Sequence, residues 1–219
     1  MIREDLTSFK NLNEMIEYGA ENFPDVHFIE YKENGGVSSK TYTELKKAVD
    51  SFSKALLDSG FKKPHAAIVG VTSFEWIASF FGTAGIGGVN VPLAPNETDE
   101  MNLKLMDFAD CDILLFIKKN KSLYKLAKEK LPGIKLFISL DNKSDEKDVI
   151  NFSDFIKGHE GETGISPDPD DVCAIDFTSG TTGFPKCVMC THKNYVYSAG
   201  SVHVACPTLR MFCCLPIHH

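Results

Sequence analysis

The strongest constraint on the fold is an unbroken apolar run. Residues 66–71 read Ala-Ala-Ile-Val-Gly-Val, with no polar alternation. A strand with one wet face would alternate with period two, so a continuous run indicates a strand buried on both faces. Such strands lie inside parallel sheets covered by helices. The surrounding sequence repeats the pattern. Leu12, Met15, Ile16, Ala20 and Phe23 recur at helical spacing and stop at Pro24. Strands are expected over 26–31, 66–71, 89–93, 112–117, 134–140 and 172–177. Helices are expected over 74–85, 101–109, 122–130 and 153–157, and from about Lys193. Leu45, Ala48, Val49, Phe52, Ala55 and Leu56 form a further helical stripe, with Thr43 as its N-cap and Gly60 at its C-terminal cap. His65 reads as a loop residue before its strand. Gly35-Gly36 reads as a turn, 142–147 as a charged surface loop, and 158–171 as a linker or long loop.

This alternation predicts an α/β fold with a mostly parallel sheet flanked by helices. Ligands in such folds sit outside the carboxyl ends of strands, so the segments after strands are where chemistry is sought. Charge narrows the options further. With 23 Lys and Arg against 30 Asp and Glu, the formal net charge is −7, which argues against nucleic acid as a general partner. The first ten residues contain no apolar core and predict no secretory signal. The seven cysteines then read as reduced thiols of an intracellular, cytoplasmic protein. Residues 76–96 carry no charge, but the glycines and prolines within them predict a buried helix followed by a buried strand, not a membrane span.

After the strand at 172–177 the chain reads Thr178-Ser179-Gly180-Thr181-Thr182-Gly183-Phe184-Pro185-Lys186. Hydroxyls, glycine backbone N–H groups and one ammonium suit a polyphosphate. The string is neither a Walker A loop nor a G-x-G-x-x-G fingerprint. Composition alone leaves a surface turn and a phosphate loop both open.

The string resembles the signature loop of the adenylate-forming superfamily, which contains acyl-CoA synthetases, luciferases and peptide-synthetase adenylation domains. Other segments carry the same resemblance. Tyr42-Thr43-Glu44-Leu45 is similar to the family's T-Y-x-E-L helix start. Ser73-Phe74-Glu75-Trp76 is similar to its N-S-x-E-W segment, in particular that of long-chain acyl-CoA synthetases of the bubblegum type. Gly87-Gly88-Val89 with Pro92-Leu93, and Leu215-Pro216-Ile217-His218-His219, resemble two further motifs. The resemblance implies a partial adenylate-forming domain over 1–219, with its phosphate-loop segment at 172–196 and the carboxyl-terminal domain absent. Thr178, Ser179, Gly180, Thr181, Thr182, Gly183 and Lys186 would bind ATP, and His219 would stand beside the acyl-adenylate as a catalytic residue. The implied reaction uses ATP, Mg²⁺ and coenzyme A to convert a fatty acid to its acyl-CoA. A coumarate- or luciferase-like ligase, or a non-catalytic remnant that at most binds ATP, is the alternative. A cytoplasmic location is implied, with peripheral attachment at the endoplasmic reticulum or another membrane surface as a variant of it.

The departures set further expectations. Cys187 stands where the family has glycine, and would crowd the loop if its backbone needed a positive φ. Phe177 stands where tyrosine is common, and Thr72 replaces asparagine. The family's later segments have no counterpart, so the sequence reads as an incomplete chain unable to complete both half-reactions. Cys187-x-x-Cys190, with His192, Cys206, Cys213, Cys214, His218 and His219 downstream, has ligand spacing for zinc. Ordinary core thiols are the preferred reading. Trp76, Phe74, Phe80 and Phe81 could line an acyl tunnel, but their helical spacing favours packed core. Lys118, Lys119 and Lys121 read as a solvated loop.

Overall fold

The computed structural model describes residues 6–33, 36–178 and 185–205. Helix α1 (Leu12–Asn22) is capped by Asn11, whose side chain accepts from the Glu14 N–H. Strands β1 (His27–Glu33) and β2 (Gly36–Thr41) form an antiparallel hairpin apart from the main sheet. Helix α2 (Tyr42–Asp58) follows. Its N-cap is Thr41, not Thr43. Thr41 Oγ1 accepts from the Glu44 N–H at 3.2 Å while Glu44 Oε2 accepts from the Thr41 N–H at 2.9 Å, a reciprocal box that satisfies two otherwise orphaned donors. Thr43 instead donates its hydroxyl to the Pro24 carbonyl. Gly60, at φ +88°, takes the left-handed position after the helix.

The central layer alternates strand and helix: β3 (His65–Val69), α3 (Phe74–Gly85), β4 (Val89–Leu93), α4 (Asp99–Phe108), β5 (Ile113–Phe116), α5 (Lys121–Lys130) and β6 (Leu136–Ser139). Then come the two-residue β7 (Ile150–Asn151), the single-turn α6 (Phe152–Phe155), β8 (Val172–Thr178), β9 (Lys186–Thr191) and α7 (His192–Ala205). The seven-stranded sheet has the order β7-β6-β5-β3-β4-β8-β9 and is parallel except for β9.

Side-chain alternation explains why β3 has no polar face. Ala66 and Ile68 pack under α1, α2 and α3, whereas Ala67 and Val69 pack under α4 and α5. The expected strand 66–71 ends earlier, at Val69; Val71 is 59% exposed, because the sheet stops there. His65 is the first strand residue and not a loop residue. Its N–H donates to Asp112 and its Nδ1 lies 2.6 Å from the Ala109 carbonyl.

The stretch 158–171 is a long loop but not a free linker. Asn11 Nδ2 donates to Ser166 Oγ and to the Pro167 carbonyl, and Asn13 Nδ2 donates to the Ile165 carbonyl. Lys46 pairs with Glu162 at 2.9 Å. These bonds hold the loop against α1 and α2. Lys118, Lys119 and Asn120 form a short 3-10 turn instead of an open loop, and the Asn120 side chain is buried on the Pro95 carbonyl. Among the described residues no helix is long and apolar enough to cross a membrane.

Candidate functional site

Strand β8 lies beside β4 and ends at the carboxyl edge of the sheet with Thr178. Its apolar residues Cys173, Ala174 and Ile175 are buried between the two helical layers. The chain then returns as β9 in antiparallel register, with Thr178 opposite Lys186 and Phe177 opposite Cys187. Two of the seven residues expected to bind ATP, Thr178 and Lys186, are therefore brought together across one ladder position. Directly opposed residues of an antiparallel pair share a face, so the Thr178 hydroxyl and the Lys186 ammonium rise from the same side of the sheet, and both residues are exposed. Ser179, Gly180, Thr181, Thr182 and Gly183 lie outside the described residues, as do His219 and the motif at 215–219.

Two expectations change here. The helix expected from about Lys193 begins at His192 as α7, but the stretch before it, expected as loop, forms strand β9. Strand β9 escapes sequence reading because it is an edge strand without a buried stripe: Lys186, Cys187, Val188 and Met189 are all exposed. Nor does Cys187 need the positive φ on which crowding of the loop depends. It sits in extended backbone with its side chain exposed, and it is not among the residues with positive φ.

One polar cluster beside the pair was not foreseen. Asp176 Oδ2 accepts from the Tyr195 hydroxyl and from the Cys190 thiol, both at 3.4 Å. A carboxylate in an otherwise apolar strand is the signal that could have found it. Burial, with Asp176 beside it, pushes the Cys190 thiol up to about 11. Burial, with Cys190 and Asp176 nearby, pushes the Cys173 thiol up to about 12. Both are therefore thiols at neutral pH and poor nucleophiles. The Tyr195 hydroxyl is raised by burial first and by the Asp176 charge second.

No group of three or more His, Cys, Asp or Glu able to hold a metal occurs among the described residues. His192 is fully buried at the start of α7, where its Nδ1 accepts from the Leu12 N–H. That engagement removes it from a zinc site with Cys187 and Cys190. Cys206, Cys213, Cys214, His218 and His219 lie outside the described residues. The exposed donors of Thr178 and Lys186 fit a phosphate chain, to which hydroxyls and ammonium groups donate. They do not fit a cation directly, so magnesium would come with the phosphates it neutralises. Trp76 (2% exposed), Phe74 and Phe80 are packed core, and Phe81 lies against the same cluster.

The model of the AMP-binding enzyme family matches residues 16–219. This chain belongs to that family. A 4-coumarate-CoA ligase from Narcissus pseudonarcissus is 29% identical over 189 residues, covering 82% of this chain and 34% of the relative. The long-chain-fatty-acid–CoA ligase ACSBG2 of Gallus gallus is 25% identical over 205 residues, covering 87% of this chain and 26% of the relative. The chain thus spans about a third of the length of the curated relatives it matches. The solved N-terminal domain of FACL13 from Mycobacterium tuberculosis superposes with a TM-score of 0.76 at 19% identity, covering 96% of this chain and 52% of that domain. The fold is therefore that of adenylate-forming amino-terminal domains. Within the family, relatives named for fatty acids and for an aryl acid both resemble this chain.

Proposed function

We propose that this chain supplies the ATP-phosphate site of an acid–thiol ligase whose acid is a long-chain fatty acid. The observation that carries the reading is the pairing of Thr178 with Lys186 at the carboxyl edge of a buried parallel sheet. In the proposed reaction the substrate carboxylate attacks the α-phosphorus of ATP, the bond to the bridging oxygen breaks, and pyrophosphate leaves. The thiol of coenzyme A then attacks the acyl carbon, and AMP departs with the electrons of the carbon–oxygen bond. The nucleophiles come from the substrates, which accords with the high thiol values of Cys173 and Cys190. Lys186 and Thr178 donate to the phosphate oxygens and offset their charge, the kind of preorganised electrostatic help that such a transfer needs. By the resemblance of their motifs, Ser179, Gly180, Thr181, Thr182 and Gly183 would extend the donor set, and His219 would serve the acyl-adenylate. Magnesium, when bound, neutralises charge on the phosphate oxygens. The proposed setting is the cytoplasm, with fatty acid delivered at a membrane surface such as the endoplasmic reticulum.

A second reading is favoured by the Narcissus pseudonarcissus relative, whose name specifies coumarate: the acid is an aryl acid. Acid-dependent pyrophosphate release from the full chain with Mg-ATP separates them. Release with a long-chain fatty acid and not with 4-coumarate supports the first reading, and the reverse supports the second. ATP binding without release under either acid identifies a nucleotide-binding part with no turnover of its own.

A further inference from the structure

Asp176 and Lys186 stand on one face of the β8–β9 hairpin. Asp176 is opposite Val188, and Lys186 lies two residues along the same strand from Val188. Side chains two apart share a face, and such diagonal neighbours have Cα atoms about 7–8 Å apart. A lysine side chain spans that gap easily, so an ion pair between the two is open to the chain. It is not made. Among the described residues, no ion pair involves Lys186, which is exposed. The Asp176 carboxylate instead meets Tyr195 of α7 and Cys190 of β9, which both donate to Oδ2.

The donor Tyr195 is itself fixed. Its ring meets Phe80 edge-on at 5.6 Å, and Phe80 stacks on Trp76 at 5.5 Å with 11° between the planes. Trp76 and Phe80 belong to the buried face of α3. Packed aromatic pairs of this kind hold their geometry. Cys190 is held by the ladder opposite Ala174. Two elements, α7 and β9, therefore converge on one carboxylate, with α3 packed behind Tyr195.

We propose that Tyr195 and Cys190 act as positioning residues that hold the Asp176 carboxylate away from Lys186, so that the ammonium stays free for an anionic ligand. The ligand class, a nucleotide polyphosphate, rests on the function proposed above. The positioning does not. Loss of both donors releases Asp176 to pair with Lys186 and compete with phosphate. An exposed ion pair is worth up to about 1 kcal/mol, which corresponds to roughly a fivefold change in affinity.

Three full-length chains test this: wild type, Tyr195→Phe/Cys190→Ala, and the same pair with Asp176→Asn. Two readouts are used. The first is the rate at which the Lys186 amine is acylated by an amine-reactive ester, read by peptide mass spectrometry without nucleotide. The second is Mg-ATP affinity. The expected result is slower labelling and about fivefold weaker ATP binding in the double variant, with both restored by Asp176→Asn. Unchanged labelling in the double variant overturns the proposal. So does a loss that Asp176→Asn fails to restore, since a merely structural cluster would not be rescued by removing the charge. Labelling that shifts and recovers in a chain that binds no ATP upholds the positioning and removes the nucleotide reading instead. Thermal unfolding of each variant reports whether the fold persists.

Discussion

The Leu12 N–H donates to His192 Nδ1 at 3.3 Å, joining the first turn of α1 to the first turn of α7 across 180 residues of sequence. The first N–H groups of a helix lack partners within it, and the imidazole supplies one. The bond requires Nδ1 to be an acceptor, so the neutral ring carries its proton on Nε2. Nε2 is buried and has no partner among the described residues.

This contact makes stability depend on pH. Burial pushes the His192 imidazole below its ordinary value, with Asp171 opposing weakly. A depressed histidine favours the neutral ring in the fold, so the unfolded chain binds the proton more readily. Stability from this group is present above the unfolded value, about 6.5, and is lost as pH falls below it. His192→Ala is expected to cost about 1–3 kcal/mol at pH 7.5. The difference from wild type should shrink as pH falls from 7.5 to 5, because the unfolded wild-type chain gains a proton there that the folded ring resists. Urea unfolding at both values checks this; a pH-independent difference would show that the imidazole contributes only packing.

Gly88 separates α3 from β4, and a Cβ there would lie 2.8 Å from the Pro64 carbonyl oxygen and 2.9 Å from the Thr83 carbonyl oxygen. Backbone cannot yield as a flexible side chain does. Gly88→Ala should therefore destabilise by about 1–3 kcal/mol. Gly133→Ala, where nothing lies within 4 Å and no positive φ is required, is the control and should be near neutral. Thermal unfolding of the two variants compares them.

Trp76 distinguishes core from tunnel. It is among the largest fully buried side chains and stacks on Phe80. Trp76→Ala should cost about 3–5 kcal/mol. A tunnel wall would instead alter preference for acid chain length at little cost in stability, which unfolding and pyrophosphate release read separately.

Cys187→Gly restores the glycine found at this place in the family's loop. The thiol is exposed and the backbone extended, so ATP affinity should not change. Glycine within a strand should cost about 0.5–1 kcal/mol. A gain in affinity, measured by calorimetry, would revive the idea of a crowded loop.

The central layer was legible because burial leaves its mark on composition. The helix Phe74–Gly85 and the strand Val89–Leu93 have the bounds their apolar runs and the Gly87-Gly88 break predicted. The helical stripe from Leu45 to Leu56 is buried at every position named for it. Features set by partners distant in sequence were not legible. Nothing in the sequence points Asn11 to Pro167 or His192 to Leu12; the fold brings these partners together. Strand β9 gains its identity from the ladder with β8 and not from a buried face, so Val188 and Met189 gave no periodic signal. Thr41 and Thr43 offer the same capping hydroxyl in sequence, and the reciprocal bond from Glu44 decides for Thr41. At the site, the loop's residue types pointed to phosphate, whereas the pairing of Thr178 with Lys186 needed the register of the hairpin.

Under the proposed function, this hairpin presents Lys186 to the phosphates of ATP. Calorimetric titration of Mg-ATP into the full chain and into Lys186→Ala tests it most directly. A charge-assisted hydrogen bond contributes about 1.5–3 kcal/mol, so the substitution should weaken binding roughly tenfold or more while the unfolding temperature stays unchanged. Saturable binding by the wild type with that loss in the variant is the predicted result. A folded chain that binds no ATP, or a Lys186→Ala chain that binds as tightly as wild type, would contradict it.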